Sequence, residues 1–236
     1  MWPDKACKEF IMKNISVAID GPSGAGKSTI ARAVAAKYRF IYVDTGAIYR
    51  TVGLAAQYAG LDSKDSAGVI ALLPDIKIEM AYDESGVQRM LLGGKDVSAE
   101  IRTPKSSIYA SDVSALPEVR AFLMDMQRDM AKKYSVIMDG RDIGTVVLPD
   151  ADVKIFLTAS AEARARRRCL ELEQKGMPTP FEEVLRDIEY RDEQDSSRAA
   201  APLKAAEDAV LLDTTELNFE QSVEAACAII EAGAGL

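Results

Sequence analysis

One stretch constrains the fold more than any other: ISVAIDGPSGAGKSTIARAVAAKY, from Ile15 to Tyr38. A short apolar run ends on Asp20, and an apolar helical period opens near Lys27. Between them the backbone is nearly bare: Gly21, Pro22, Ser23, Gly24, Ala25 and Gly26, followed by Lys27, Ser28 and Thr29. The pattern is G-x-x-x-x-G-K-[ST], placed between a predicted strand and a predicted helix. Successive N–H groups of such a loop converge on phosphate oxygens, along dihedrals that glycine permits. The helix N-terminus adds the positive end of its dipole. Lys27 is spaced to reach β- and γ-phosphates, and the Ser28 hydroxyl to ligate Mg²⁺. Residues 21–29 are therefore expected to hold a nucleoside triphosphate. That alone is silent about the reaction, since GTPases, motors, transporters and small-molecule kinases share the loop.

Four further runs resemble the first: FIYVD (40–44), SVIMD (135–139), VKIFLT (153–158) and AVLLD (209–213). Near-continuous apolar runs of this length read as buried parallel strands. Helical stripes lie between them: Ile30, Ala31, Val34, Ala35 and Tyr38; then Phe181, Val184, Leu185 and Ile188. Asn218 is placed to cap a last helix through Phe219, Val223, Ala226 and Ile230, with Gly233 near its stop. Strand and helix alternate as in a doubly wound α/β sheet. Residues 75–97 break the rule, with two period-2 runs around DESG and then a GG turn. This predicts an inserted hairpin or small antiparallel sheet.

The chain has 236 residues and no histidine. The missing imidazole removes Ser–His–Asp and Cys–His catalysis and His-ligated zinc, leaving carboxylates, cations and backbone dipoles. A net charge of −8 argues against a nucleic-acid polymer as partner. No apolar run approaches membrane-spanning length. Cys7, Cys169 and Cys227 are far apart and fit a reducing cytoplasm. Residues 1–12 read as an N-terminal extension with no signal-peptide core, and Met12 is an alternative initiator.

No N-K-x-D follows a strand, so a guanine reader is not indicated. A kinase of small phosphorylated acceptors would need many arginines at one site, because two anions must approach each other. They are present. VDTGAIYR puts Thr45 and Arg50 near the carboxyl edge of the sheet, where ligands of open α/β sheets bind. MDGRDIGT puts Asp139, Arg141 and Asp142 at the next edge, with Asp139 a candidate magnesium ligand beside Ser28. SAEARARRRCLELEQKG is a helix with Arg164, Arg166, Arg167 and Arg168, read as a mobile lid over about 164–178. YRDEQDSSRAAAPL adds Arg191, Asp195 and Arg198.

The segments IDGPSGAGKST, DTGAIYR, EIRTPKSSIYASDVSALPEVR, DGRDIGTVVLPDADVKIFLTAS and RDEQDSSRAAAPL resemble, in order, those of bacterial cytidylate kinases. The resemblance runs from about Ile15 to Ile230. It implies a P-loop kinase fold over 13–236, an enlarged monophosphate-binding insertion over about 62–115, and a short lid. It also implies the reaction: ATP with Mg²⁺ converts CMP or dCMP to CDP or dCDP in a cytoplasmic monomer. By position, Arg50 and Arg141 match arginines that hold the acceptor phosphate, and Thr45 stands where the family often has serine. Ser111, Arg120 and Asp142 match the cytosine-reading set. Arg191, Asp195 and Arg198 match residues around the acceptor's sugar and phosphate. Lys27, Arg141, Arg191 and Arg198 are the expected catalytic cations. A P-loop kinase of UMP, dTMP or shikimate, or an ATP-binding module without turnover, are the alternatives.

The chemistry of the base agrees. Cytosine presents a donor at N4 where uracil presents an acceptor. A carboxylate at that position favours the first and repels the second, by roughly 1–3 kcal/mol per good contact.

Overall fold

A computed structural model describes residues 14–174 and 176–236; the leading segment 1–12 and Cys7 lie outside the described residues. Each of the five apolar runs forms a strand: β1 Ser16–Asp20, β2 Ile41–Asp44, β6 Val136–Gly140, β7 Val153–Thr158 and β8 Val210–Asp213. They make one parallel sheet in the order β2-β6-β1-β7-β8. Helices α1 Lys27–Tyr38 and α8 Phe219–Ala234 cover one face. Helices α2 Thr45–Tyr58 and α5 Pro117–Lys133 cover the other.

Alternation along each strand builds both cores. Val17 and Ile19 of β1 join Ile137, Ile155, Val34 and Ile230. Ala18 joins Val43, Met138, Ile48 and Leu123. With both faces covered, the inner strands β1 and β6 need no polar alternation, which is why their runs are nearly all apolar; the edge strand β8 leaves Val210 and Leu211 exposed. The final helix carries the expected cap. The Asn218 side chain accepts from Gln221 N, and the Gln221 side chain accepts from Asn218 N. Its end falls near Gly233, as expected. Gly233 is still helical and lies against Val153, and Gly235, at φ 67°, makes the left-handed stop.

The predicted insertion is a three-stranded antiparallel sheet: β3 Ile78–Tyr82, β4 Gln88–Leu92 and β5 Lys95–Asp96. DESG forms the first turn, where the Asp83 carboxylate accepts from the Ser85 and Val87 N–H groups. Short helix α3 Ser66–Leu72 precedes this sheet, and α4 Pro104–Ser114 follows it and crosses α2. Helices α6 Ala161–Gln174 and α7 Phe181–Ser197 form a hairpin with its own small core of Ala165, Val184 and Ile188. Among the described residues, no helix is long and apolar enough to cross a membrane.

Candidate active site

The carboxyl ends of β1, β2 and β6 open into one cleft of about 650 Å³. Its floor is the glycine loop. Gly21, Gly24 and Gly26 have φ of 150°, 76° and 91°. A Cβ on Gly21 would fall 1.9 Å from the Leu157 carbonyl oxygen, so no other residue fits there. Ser23 to Thr29 line the cleft. Lys27, buried at the start of α1, donates to the Gly21 and Pro22 carbonyls, both at 2.7 Å. Burial, and then repulsion from Arg141, push its pKa down to about 7 against the opposing pull of Asp139, Asp20 and Asp195. Ser28 Oγ donates to Asp139 Oδ2 at 2.7 Å, and Tyr42 donates to Oδ1 at 2.9 Å. Burial raises the Asp139 pKa, Asp44 adds to the rise, and Lys27 opposes it.

Across the cleft, cations are held by acids. Asp44 caps α2 through Ala47 N at 2.8 Å. It also pairs with Arg50 at 3.1 Å and Arg102 at 2.9 Å. Burial alone would raise the Asp44 pKa; the two arginines outweigh it and hold it low. Asp195, from α7, takes Arg141 at 2.7 Å and Arg198 at 2.5 Å, so one carboxylate fixes two guanidinium groups. The same balance, burial against Arg141 and Arg198, keeps Asp195 ionised. Asp142 pairs with Arg120, both buried. Arg120 also donates to the Ser114 carbonyl at 3.2 Å and lies 5.7 Å from the Tyr49 ring centroid.

All nine residues expected to hold the acceptor line this cleft: Thr45, Arg50, Ser111, Arg120, Arg141, Asp142, Arg191, Asp195 and Arg198. Thr45 directs its hydroxyl at the Asp139 carbonyl, 2.7 Å away. The four arginines of α6 part company, because a helix turns about 100° per residue. Arg167 lines the cleft, with its guanidinium held by the Thr214 carbonyl and, at 3.2 Å, by the Thr214 hydroxyl. Arg164 turns inward, bonding Ser23 O at 3.0 Å and Asp192 at 2.6 Å. Arg166 is exposed, and Arg168 pairs with Glu171 at 2.9 Å. Sequence reasoning did not single out Asp44, Arg102, Tyr49 or Asp20. Asp44 was visible as an N-cap in VDTGAIYR, but no local signal connects Arg102 with it.

A phosphate cradle at the end of the central strand, faced by paired arginines on a parallel five-stranded sheet, defines a P-loop kinase of the nucleoside monophosphate class. A family model described as cytidylate kinase matches residues 17–232. The cytidylate kinase of Caldicellulosiruptor saccharolyticus is 49% identical over 213 residues, which is 90% of this chain and 94% of that protein. That of Carboxydothermus hydrogenoformans is 51% identical over 207 residues, 88% of this chain and 93% of that one. The chain belongs to the cytidylate kinase family. A solved structure of an uncharacterized protein from Eubacterium ventriosum shares the fold alone. Its TM-score is 0.50 at 12% identity, over 93% of this chain and 99% of that one.

Proposed function

We propose that the chain transfers the γ-phosphoryl group of ATP to CMP and dCMP. The observation that carries this reading is the buried Arg120–Asp142 pair, lining with Ser111 the same cleft as the glycine loop. Asp142 accepts from cytosine N4–H₂, and Arg120 and Ser111 donate to N3 and O2. A carboxylate there faces uracil O4 unfavourably, and unpaired groups in a buried site enlarge the penalty.

An oxygen of the acceptor monophosphate attacks the γ-phosphorus. The bond from that phosphorus to the β–γ bridging oxygen breaks, and the electron pair leaves on ADP. The attacking oxygen is already ionised near neutral pH, so no general base is needed and the absence of histidine is no obstacle. Lys27 stabilises charge on the donor. Arg50 and Arg141 orient the acceptor phosphate, and Arg191 and Arg198 add positive charge where the two phosphates meet. Of the α6 arginines, Arg167 faces the nucleotide; Arg164 braces the loop through the Ser23 carbonyl.

Magnesium fits the residues present. Ser28 Oγ and Asp139 Oδ2 are hard oxygen donors 2.7 Å apart. Among the described residues there is no group of three or more His, Cys, Asp or Glu that would form a protein-only cage. Mg²⁺ usually takes one or two protein oxygens and completes its shell with water and phosphate. Bound there with the nucleotide, it would neutralise charge on the β- and γ-phosphate oxygens.

The test is an acceptor panel of CMP, dCMP, UMP, dTMP and shikimate, with ADP release coupled to an optical readout. CMP and dCMP are expected to turn over at least about tenfold more efficiently than UMP, from roughly 1–3 kcal/mol per base contact. Preferred turnover of any other acceptor, or no acceptor-dependent ADP release, would refute the reading.

A further inference from the structure

Asp20 is the last residue of β1 and is 4% exposed. No role in binding either nucleotide falls to it in the reading above. Its carboxylate is nonetheless fully engaged. Oδ1 accepts from Ile143 N and Oδ2 from Gly144 N, each at 2.7 Å. Those two N–H groups open the single wide turn Ile143–Val147, which follows Arg141 and Asp142. At the start of a helical turn such N–H groups lack internal partners, and an aspartate immediately before the turn ordinarily caps the second or third of them, here Gly144 or Thr145, with its own carboxylate. Here that preceding residue is Asp142. It makes no side-chain cap bond; its carboxylate is turned onto Arg120 instead.

We propose that Asp20 is a positioning residue for acceptor-base selection: by capping the 143–147 turn from the neighbouring strand, it releases the Asp142 carboxylate to pair with Arg120 and read the base. This rests on the assignment of Asp142 to the base. The geometry leaves little room for another arrangement. β1 and β6 are paired in register from Ser16 with Val136 to Asp20 with Gly140. The strand end that delivers the glycine loop therefore lies beside the strand end that delivers Arg141 and Asp142. At Gly144, a Cβ would come within 3.2 Å of Lys154 and 3.4 Å of Asp20 Oδ2, so the turn packs closely on the Lys154 side chain and in contact with the carboxylate. Burial pushes the Asp20 pKa up to about 6; the Gly144 and Ile143 N–H groups oppose that rise, Asp142 adds to it and Lys27 counters it. The donor loop and the acceptor-reading loop are thus joined by one side chain, and loss of that side chain gives Asp142 a competing use at the Gly144 N–H, two residues away.

The experiment measures kcat/KM for CMP and UMP in four proteins: the parent, Asp20→Asn, Asp142→Ala and the double variant. An asparagine keeps the shape but offers one acceptor, and it sets an amide N–H₂ against the second backbone N–H. Asp20→Asn is expected to lower the CMP-to-UMP ratio at least tenfold in the parent and to leave it unchanged in the Asp142→Ala background. An effect of equal size in both backgrounds, or none in the parent, overturns the proposal. If parent and Asp142→Ala show the same ratio, the base assignment itself has failed, and the two failures are told apart. Should Asp20→Asn not fold, Asp20→Glu takes its place in the same cycle, with the same expected and overturning outcomes.

Discussion

Nucleotide binding should be accompanied by proton uptake at Lys27, and the amount follows from where this side chain sits. The ammonium is buried, faces Arg141, and in the free protein has its pKa pushed down to about 7. A triphosphate brings several anionic oxygens to the same nitrogen, which restores the charged form and lifts the pKa well above 8. At pH 8 a group with a pKa near 7 is about one-tenth protonated, so binding should take up about 0.9 proton; at pH 6 the uptake should fall to about 0.1. The sign follows from linkage. Because the complex holds more protons than the free protein, affinity weakens as pH rises through 7, by about one order of magnitude from pH 6 to 8. The assay is isothermal titration calorimetry with a non-hydrolysable ATP analogue and Mg²⁺, in HEPES and in Tris. These buffers differ in ionisation enthalpy, so the difference in apparent heat counts protons. Lys27→Met is the control, and its uptake at pH 8 should be near zero. Equal uptake by parent and Lys27→Met at pH 8 would show that Lys27 keeps one protonation state through binding, and would refute the expected uptake.

Other perturbations test the remaining parts of the site. Arg141→Ala should reduce kcat by about 10³ or more, as expected for an arginine acting on a transferring phosphoryl group; Arg198 stays on Asp195, so the melting temperature should change little. A large melting shift with unchanged kinetics in the folded fraction would make Arg141 a structural ion-pair partner. Asp142→Asn should narrow the CMP-to-UMP ratio of kcat/KM by about one to two orders of magnitude, on roughly 1–3 kcal/mol per base contact. An unchanged ratio, or an equal collapse of ATP binding, would remove Asp142 from the base. Ile137→Ala, at a fully buried position of β6, should cost about 2–5 kcal/mol in denaturant unfolding while KM for both nucleotides holds.

The sheet was legible because its strands are apolar on both faces, and that signature does not depend on distant partners. The glycine loop was legible for the same reason: its backbone path is written in consecutive residues. The hairpin at 78–92 announced itself by period and turn chemistry. The ion pairs were not legible. Arg141 and Asp195 are separated by 54 positions, and Asp44 and Arg102 meet only because the antiparallel sheet and its following turn return the chain to the end of β2. The arginine run of α6 shows the limit from the other side. Composition marks it as one basic segment, yet helical geometry sends Arg164 to the Ser23 carbonyl and Asp192, Arg167 to the cleft and Arg166 to solvent.

The pairing of cations with acids also accounts for how an acidic chain assembles a site for two polyanions. Five arginines facing the cleft are anchored on three buried carboxylates: Arg50 and Arg102 on Asp44, Arg141 and Arg198 on Asp195, and Arg120 on Asp142. Unanchored, these long side chains would repel one another and would have to be ordered when substrate arrives. Anchored, each guanidinium keeps further N–H donors for phosphate or base while its position is already fixed. The electrostatic field is thus largely organised before the phosphates meet, which is the condition under which fixed charges accelerate phosphoryl transfer most. The carboxylates cancel charge in the sum over the chain but not at the cleft surface. A net charge of −8 and a phosphate-binding site are therefore compatible. Removing an anchor should accordingly disable the arginines it holds more than it relieves their attraction for phosphate.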